Sequence, residues 1–400
     1  MAEELDYQIL DALVGRFFLI RERMQSSSNH PFSITYRGIL RVDDSEQAYD
    51  DLSESLTQFG LIPRFLKDGN DQIIQLIRTL PKAKPANVRI NLILFIATLL
   101  SVLFTGGLLS IEKSLPSDVF QALQILIAKG WPFALSLLTI LAAHEFGHYF
   151  AGKRNGVQVT LPYFIPMPLS AFGTLGAFIN MRSLPKNKKA LFDLAITGPL
   201  CGFMVSIIVL LIGLNLSTIS SLPVAPTSDV ALQMEGNSIL YLGFKYLVFG
   251  KWLPNPQNIS GLPLLIFWLQ YFFTGHPFPW GSLDVVLHPV AWAGWAGLFV
   301  TTINLLPVGQ LDGGHIFSSA FGVENSRHIF PFIIAGLVMM GFFWNTWWIW
   351  AVLLFLMGRI FAEPLDQITP LDKKRKRLAW LAVVIFLLTF IPVPLTIVNL

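Results

Sequence analysis

The chain has 400 residues, 53% of them apolar and only 13% charged, where an ordinary soluble domain carries roughly 25% charged residues. A net charge of +3 is too small to point to nucleic acid as a partner. A single cysteine, Cys201, excludes an intramolecular disulfide and a cysteine-rich zinc site.

Residues 1–80 hold most of the acidic groups and read as a small cytosolic α+β domain. The first ten residues are acidic and lack the basic start of a secretory leader, so no cleaved leader is expected. A strand is predicted at Phe32–Arg41 and a helix at Ser45–Phe59, following Asp43 and Asp44. Two further strands, Leu61–Lys67 and Gln72–Thr79, flank a turn at Asp68-Gly69-Asn70. A linker over 81–89 carries Lys82, Lys84 and Arg89.

From there on, apolar runs reach the roughly 20 residues that a spanning helix needs. The first span is expected at about 90–110, and the basic linker before it keeps the N-terminus in the cytoplasm. A second, about 131–151, runs inward to Lys153 and Arg154. The loop that follows closes inside with Lys186, Lys188 and Lys189, and a third span, about 190–214, goes back out. Cys201 lies in it as a small packing residue. Segments 238–249 and 261–273 are short for a crossing and read as interfacial or re-entrant helices. A fourth span, about 288–306, returns inward. The stretch 329–361 divides at Asn345 and Thr346, among four tryptophans, into two short helices. Lys373 to Arg377 anchor the inner side before a last span at about 378–398. The expected architecture is a polytopic α-helical membrane protein with about seven crossings. A core over 90–320 is followed by C-terminal transmembrane helices over 321–400. The membrane is a bacterial plasma membrane or a photosynthetic one.

The second span contains His144-Glu145-Phe146-Gly147-His148. On a helix, H-E-x-x-H sets two imidazoles on one face with a carboxylate beside them, which gives two metal ligands and a general base. The same pattern also fits two satisfied histidines on a buried helix. Charge within a bilayer is costly, on the order of 2.5–3.5 kcal/mol for one central group. Two histidines leave a tetrahedral catalytic metal short of one protein ligand. Asp312, in Asn304-Leu305-Leu306-Pro307-Val308-Gly309-Gln310-Leu311-Asp312-Gly313-Gly314-His315, is the acidic residue placed like them, at the inner end of an apolar span. Pro307 and the glycines interrupt the helix there, which is tolerated where a hydrated pocket surrounds the backbone.

H-E-x-x-H in one span and N-x-x-P-x-x-x-L-D-G in a later one resemble the signature of the site-2 proteases, the intramembrane zinc metalloproteases. The likeness is to their cyanobacterial and plastid-type branch and covers about 90–320. It implies that His144, His148 and Asp312 bind zinc, that Glu145 is the base, and that Asn304 acts near the metal on substrate or oxyanion. A polar cap for the break at Pro307 remains the alternative for Asn304. His315 reads as a neighbour of the ligands rather than a fourth one, because a fourth would close the catalytic position. His276 and His288 read as structural. Between the second and third spans, Gly173 to Arg182 is glycine-kinked, extended sequence, where the family has a membrane-dipping β element. Gly173, Gly176, Phe178 and Asn180 are the candidates to hold an unwound substrate as an added strand. A plain connector is the alternative. The region 215–284 looks too short and apolar for the PDZ domain that many members carry.

The expected activity is zinc-dependent endoproteolysis of single-pass, membrane-anchored and regulatory proteins. The lipid bilayer is a partner, nucleic acid is not, and the N-terminal domain has its own partner or regulator. Two other readings stay open: a membrane metal transporter, and a proteolytically silent scaffold that binds membrane proteins.

Overall fold

In the N-terminal region, alternation of apolar and polar residues builds strands, and a 3.6-residue period builds the helices laid across them. The computed structural model describes residues 7–25, 33–69, 71–79, 87–111, 115–224, 231–256, 259–358 and 360–399. The first elements are α1 (Tyr7–Gly15), β1 (Phe18–Gln25), β2 (Ser33–Leu40), α2 (Ser45–Thr57), β3 (Leu61–Asp68) and β4 (Asp71–Arg78). The strands form one antiparallel sheet in the order β1-β2-β4-β3. One sheet face presents Ile34, Tyr36, Phe65, Ile74 and Leu76 to Leu10 and Val14 of α1 and Leu52 and Leu56 of α2. Asp44 starts α2 by accepting from the backbone N–H groups of Glu46 and Gln47. Elements α1 and β1 were not foreseen. The expected linker residues 81–86 lie outside the described residues.

Next come α3 (Val88–Leu109) and α4 (Val119–Arg154), then the hairpin β5 (Tyr163–Pro166) and β6 (Thr174–Phe178), and α5 (Lys188–Asn215). Helices α3, α4 and α5 are long and apolar enough to cross a membrane. Ile93 and Leu100 of α3, Leu135 of α4 and Ile208 of α5 stay exposed, as side chains in lipid contact do. Helix α4 starts twelve residues before the expected 131, since Asp118 caps it and Pro132 is accommodated within it.

The chain then builds a cap at the end of the bundle away from the N-terminal domain. Its parts are β7 (Thr218–Ser221), β8 (Ala231–Glu235), α6 (Ile239–Phe249), α7 (Leu262–Thr274) and β9 (Leu283–Val286). Strand β7 pairs with β9. Helices α6 and α7 have 11 and 13 residues, too short to cross. Returning from the cap are α8 (Pro289–Asn304), α9 (Asp312–Phe321), α10 (Val323–Met340), α11 (Thr346–Met357), α12 (Lys373–Thr389) and β10 (Leu395–Asn399). The side chain of His288 caps α8. Against the expected seven crossings, three helices reach full spanning length among the described residues, and α8, α10, α11 and α12 are shorter. The last expected span, 378–398, is corrected. Pro392 and Pro394 stop the helix, and the chain turns into β10, which pairs with β8.

Inside the cap lies a buried ionic cluster. Lys245 Nζ is 3.5 Å from Asp284 Oδ1 and 4.7 Å from the centroid of the Tyr241 ring. The Tyr241 hydroxyl donates to Glu235 at 2.8 Å. Burial pushes the Glu235 carboxyl up to about 7, against the opposing pull of Lys245.

Candidate metal centre

His144 and His148 stand one turn apart on α4, both about 95% buried. Their Nε2 atoms are 3.1 Å apart. Asp312 Oδ2 lies 3.3 Å from His144 Nε2 and 3.2 Å from His148 Nε2. Zinc–ligand bonds of about 2.0–2.1 Å at a tetrahedral angle require donor atoms about 3.3 Å apart. The triangle matches that spacing, so two imidazoles and a carboxylate fit a divalent cation such as zinc.

The neighbouring helix orients these ligands. His148 Nδ1 is 2.7 Å from the Leu194 carbonyl of α5. A carbonyl can only accept, so Nδ1 carries the proton and the Nε2 lone pair faces the other ligands. Pro199 lacks the N–H that would bond the Ala195 carbonyl, which loosens α5 in this turn. A Cβ on Gly198 would lie 2.1 Å from His148 Nε2, and one on Gly202 would lie 3.0 Å from His144 Nδ1. Only a glycine at 198 leaves room for the His148 ring, and any side chain at 202 would press on His144.

Asp312 reaches the site because α8 stops at Asn304 and a new helix, α9, begins at Asp312 itself. Pro307 lies in the turn between them, and Gly309 takes a positive φ of 48° against the backbone of Gly358. Asn304, the last residue of α8, holds its side-chain Nδ2 3.4 Å from His144 Nε2.

A cavity of about 220 Å³ opens onto the triad, and among its lining residues are Glu145, Phe178, Asn304 and His315. Glu145 is buried and stands beside the backbone of Ile179, just past β6. His315 is buried, and its Nδ1 has no partner among the described residues.

The hairpin arranges the remaining candidates unevenly. Phe178 lines the cavity and stacks on Tyr163 of β5. Gly176 has open space around it. Gly173 faces away, packed on α3, where Ser101 donates to its carbonyl. Asn180 is tied back to Thr160 through its backbone. Thus His144, Glu145, His148, Asn304, Asp312 and Phe178 converge on one cavity, whereas Gly173 and Asn180 shape the hairpin that reaches it. His276 is remote from it, beside α7. Sequence reasoning missed Leu194, Gly198 and Gly202. For the glycines a signal was present: two of them four apart, flanking Pro199, in an otherwise apolar helix.

With this arrangement in view, the chain belongs to peptidase family M50, whose model matches residues 132–345. That stretch runs from α4 through the α10–α11 junction and includes every residue of the triad. It is similar to proteins named probable zinc metalloprotease EGY2, chloroplastic, of Arabidopsis thaliana, at 30% identity over 74% of this chain and 48% of the relative. A likeness to probable zinc metalloprotease EGY1, chloroplastic, of the same plant stands at 29% over 66% of this chain and 43% of the relative. The rice protein of that name is 32% identical over 59% of this chain and 38% of the relative. The chain therefore spans about half, or less, of the length of these curated relatives.

Proposed function

We propose that this protein is a membrane-embedded zinc endopeptidase that cleaves the transmembrane segments of membrane-anchored proteins. The observation that carries the reading is the triangle of His144, His148 and Asp312 beside the buried Glu145. Membership of a peptidase family, and relatives named as zinc metalloproteases, support it. In this reading the N-terminal domain is cytosolic and the cap lies on the outer side.

His144, His148 and Asp312 would hold zinc, which when bound would supply Lewis acidity to a water molecule and to the scissile carbonyl. Glu145 accepts the proton of the attacking water and returns it to the departing amine nitrogen. Asn304 donates its amide N–H to the carbonyl oxygen as negative charge develops there. A substrate helix hides each amide in an i to i−4 hydrogen bond and must unwind before attack. The hairpin takes the unwound segment along the unpaired edge of β6, with Gly176 leaving space for its backbone and Phe178 for a side chain.

Purified protein, loaded with zinc and mixed with a single-pass membrane protein in detergent or vesicles, should cut within the apolar segment. Glu145→Gln should abolish cleavage while zinc content stays unchanged. Cleavage that persists in Glu145→Gln would sink the proposal. So would metal flux across vesicles that survives the substitution, which would mark a transporter. A proteomic comparison of membranes holding the active and Glu145→Gln forms would then reveal the substrates as accumulating single-pass proteins.

A further inference from the structure

Helix α5 supplies no metal ligand, yet it bears on both histidines through Leu194, Gly198 and Gly202. Where α5 sits along its axis therefore decides how the His148 ring is held. The start of that helix is gripped by the N-terminal domain, one and a half turns before Leu194.

The grip has two layers. The backbone layer extends the domain's sheet past its β3 edge. Phe65 N–H donates to the Leu365 carbonyl, and Gln367 N–H donates to the Phe65 carbonyl, each at 2.8 Å. On its other side the same segment donates from Leu365 and Asp366 to the carbonyls of Pro185 and Lys186, at 3.0 and 2.8 Å. Residues 185–187 are thus tied through single parallel bridges at Asp366 to the edge of the N-terminal sheet, and they run straight into α5.

The side-chain layer comes from α2. Glu46 Oε2 accepts from Lys189 Nζ at 2.6 Å, and Glu46 Oε1 accepts from Asn187 Nδ2 at 2.8 Å. Asn187 is the N-cap of α5, its Oδ1 accepting from the N–H of Ala190. Asp50 adds an ion pair with Lys186 at 2.6 Å. One carboxylate, Glu46, therefore holds both the cap and the first turn of the helix whose carbonyl fixes His148.

We propose that Glu46 is a positioning residue for the metal centre, acting through Asn187, Lys189 and α5 on the Leu194–His148 hydrogen bond. The inference rests on the metallopeptidase reading above. It makes the N-terminal domain part of the catalytic apparatus, and any protein that pries α2 from α5 an inhibitor of proteolysis.

The test uses the full-length protein in detergent, loaded with cobalt in place of zinc. Its visible absorption reports ligand geometry at the metal, and cleavage of a single-pass substrate is followed in parallel. Glu46→Lys should alter the cobalt spectrum and lower kcat by about 10-fold, the lower end of what disturbing a ligand's orienting partner costs, with KM little changed. The paired exchange Glu46→Lys with Lys189→Glu should restore both in part, since it returns the ion pair but a lysine, which can only donate, cannot accept from Asn187 Nδ2. Glu46→Gln, which keeps the bond to Asn187, should fall between and guards against a variant that fails to fold. If wild-type protein takes up cobalt but all three variants share its spectrum and kcat, the inference is wrong and the metal centre stands. Wild-type protein that takes up no cobalt removes the metal-centre reading and the inference with it.

Discussion

Two buried polar clusters occupy opposite ends of the helical bundle, and they differ in what their atoms offer. In the cap, Lys245, Asp284, Glu235 and Tyr241 answer one another, a cation against a carboxylate and a hydroxyl against a second carboxylate. At the other end, Nε2 of His144, Nε2 of His148 and Oδ2 of Asp312 lie within 3.3 Å of one another, and the His148 Nδ1–H is turned toward Leu194. The first cluster sets charge against opposite charge within itself and serves the fold. The second brings three metal-binding atoms together at a spacing that fits a cation. Burial of charge alone does not separate the two cases, whereas convergence of like lone pairs does.

The contrast can be broken by substitution, and the largest effect is expected at the metal centre. Gly198→Ala would set a Cβ 2.1 Å from His148 Nε2. Metal content should fall to background and peptidase activity by roughly 10⁴-fold, about 5 kcal/mol of barrier, while the metal-free protein loses about 1–3 kcal/mol of stability to the overpacked ring. Elemental analysis together with a cleavage assay checks this. A variant that binds zinc normally would show that the glycine does not shape the ligand.

Next in size is Lys245→Met, which strands Asp284 in the cap without its counter-charge. Loss of one partner of a buried pair costs about 3–5 kcal/mol, so thermal unfolding in detergent should drop sharply with zinc affinity unaltered. Smaller still is a pH effect in the same cluster. The Glu235 pKa, lifted by burial to about 7, makes the folded cap bind more protons than the unfolded chain between about 4.5 and about 7. Stability should therefore fall as pH rises through that window, by on the order of 1–3 kcal/mol. Glu235→Gln should flatten the profile, and an unchanged slope would assign it to another group. The least effect belongs to an exposed pair. Arg21→Ala removes the bond to Asp71 at the surface of the N-terminal sheet and should cost under about 1 kcal/mol by denaturant titration.

What the sequence revealed divides along the range of the interactions involved. The paired histidines, Glu145 and Asp312 were legible because a helical period and a helix break are local properties. Strands β2, β3 and β4 and helix α2 were legible for the same reason. Strand β1 was missed because three of its residues, Arg21, Glu22 and Arg23, mask the apolar alternation of an edge strand. The true start of α4 was hidden behind Gly130 and Pro132, which read as a stop until packing against α3 is known. Arg375, read only as one of five basic anchors, makes a two-pronged bond to Asp193 of α5 at 2.7 and 2.5 Å. No spacing rule foretells a contact between residues so far apart. The role of Leu194 was beyond reach too, since a backbone carbonyl carries no signature in the residue that bears it.

The β3 edge is completed by residues 365–367, and Ser45 meets Thr369 across the same seam at 2.8 Å. During synthesis, that edge emerges from the ribosome about 300 residues ahead of the segment that will cover it. Throughout that interval it is an open row of backbone donors and acceptors, the kind of border along which sheets join wrongly. Slow synthesis of the helices between lengthens that exposure, and a chaperone over the border would cover it. Arrival of residues 365–367 covers that border and bridges it to residues 185–187, which lead into α5.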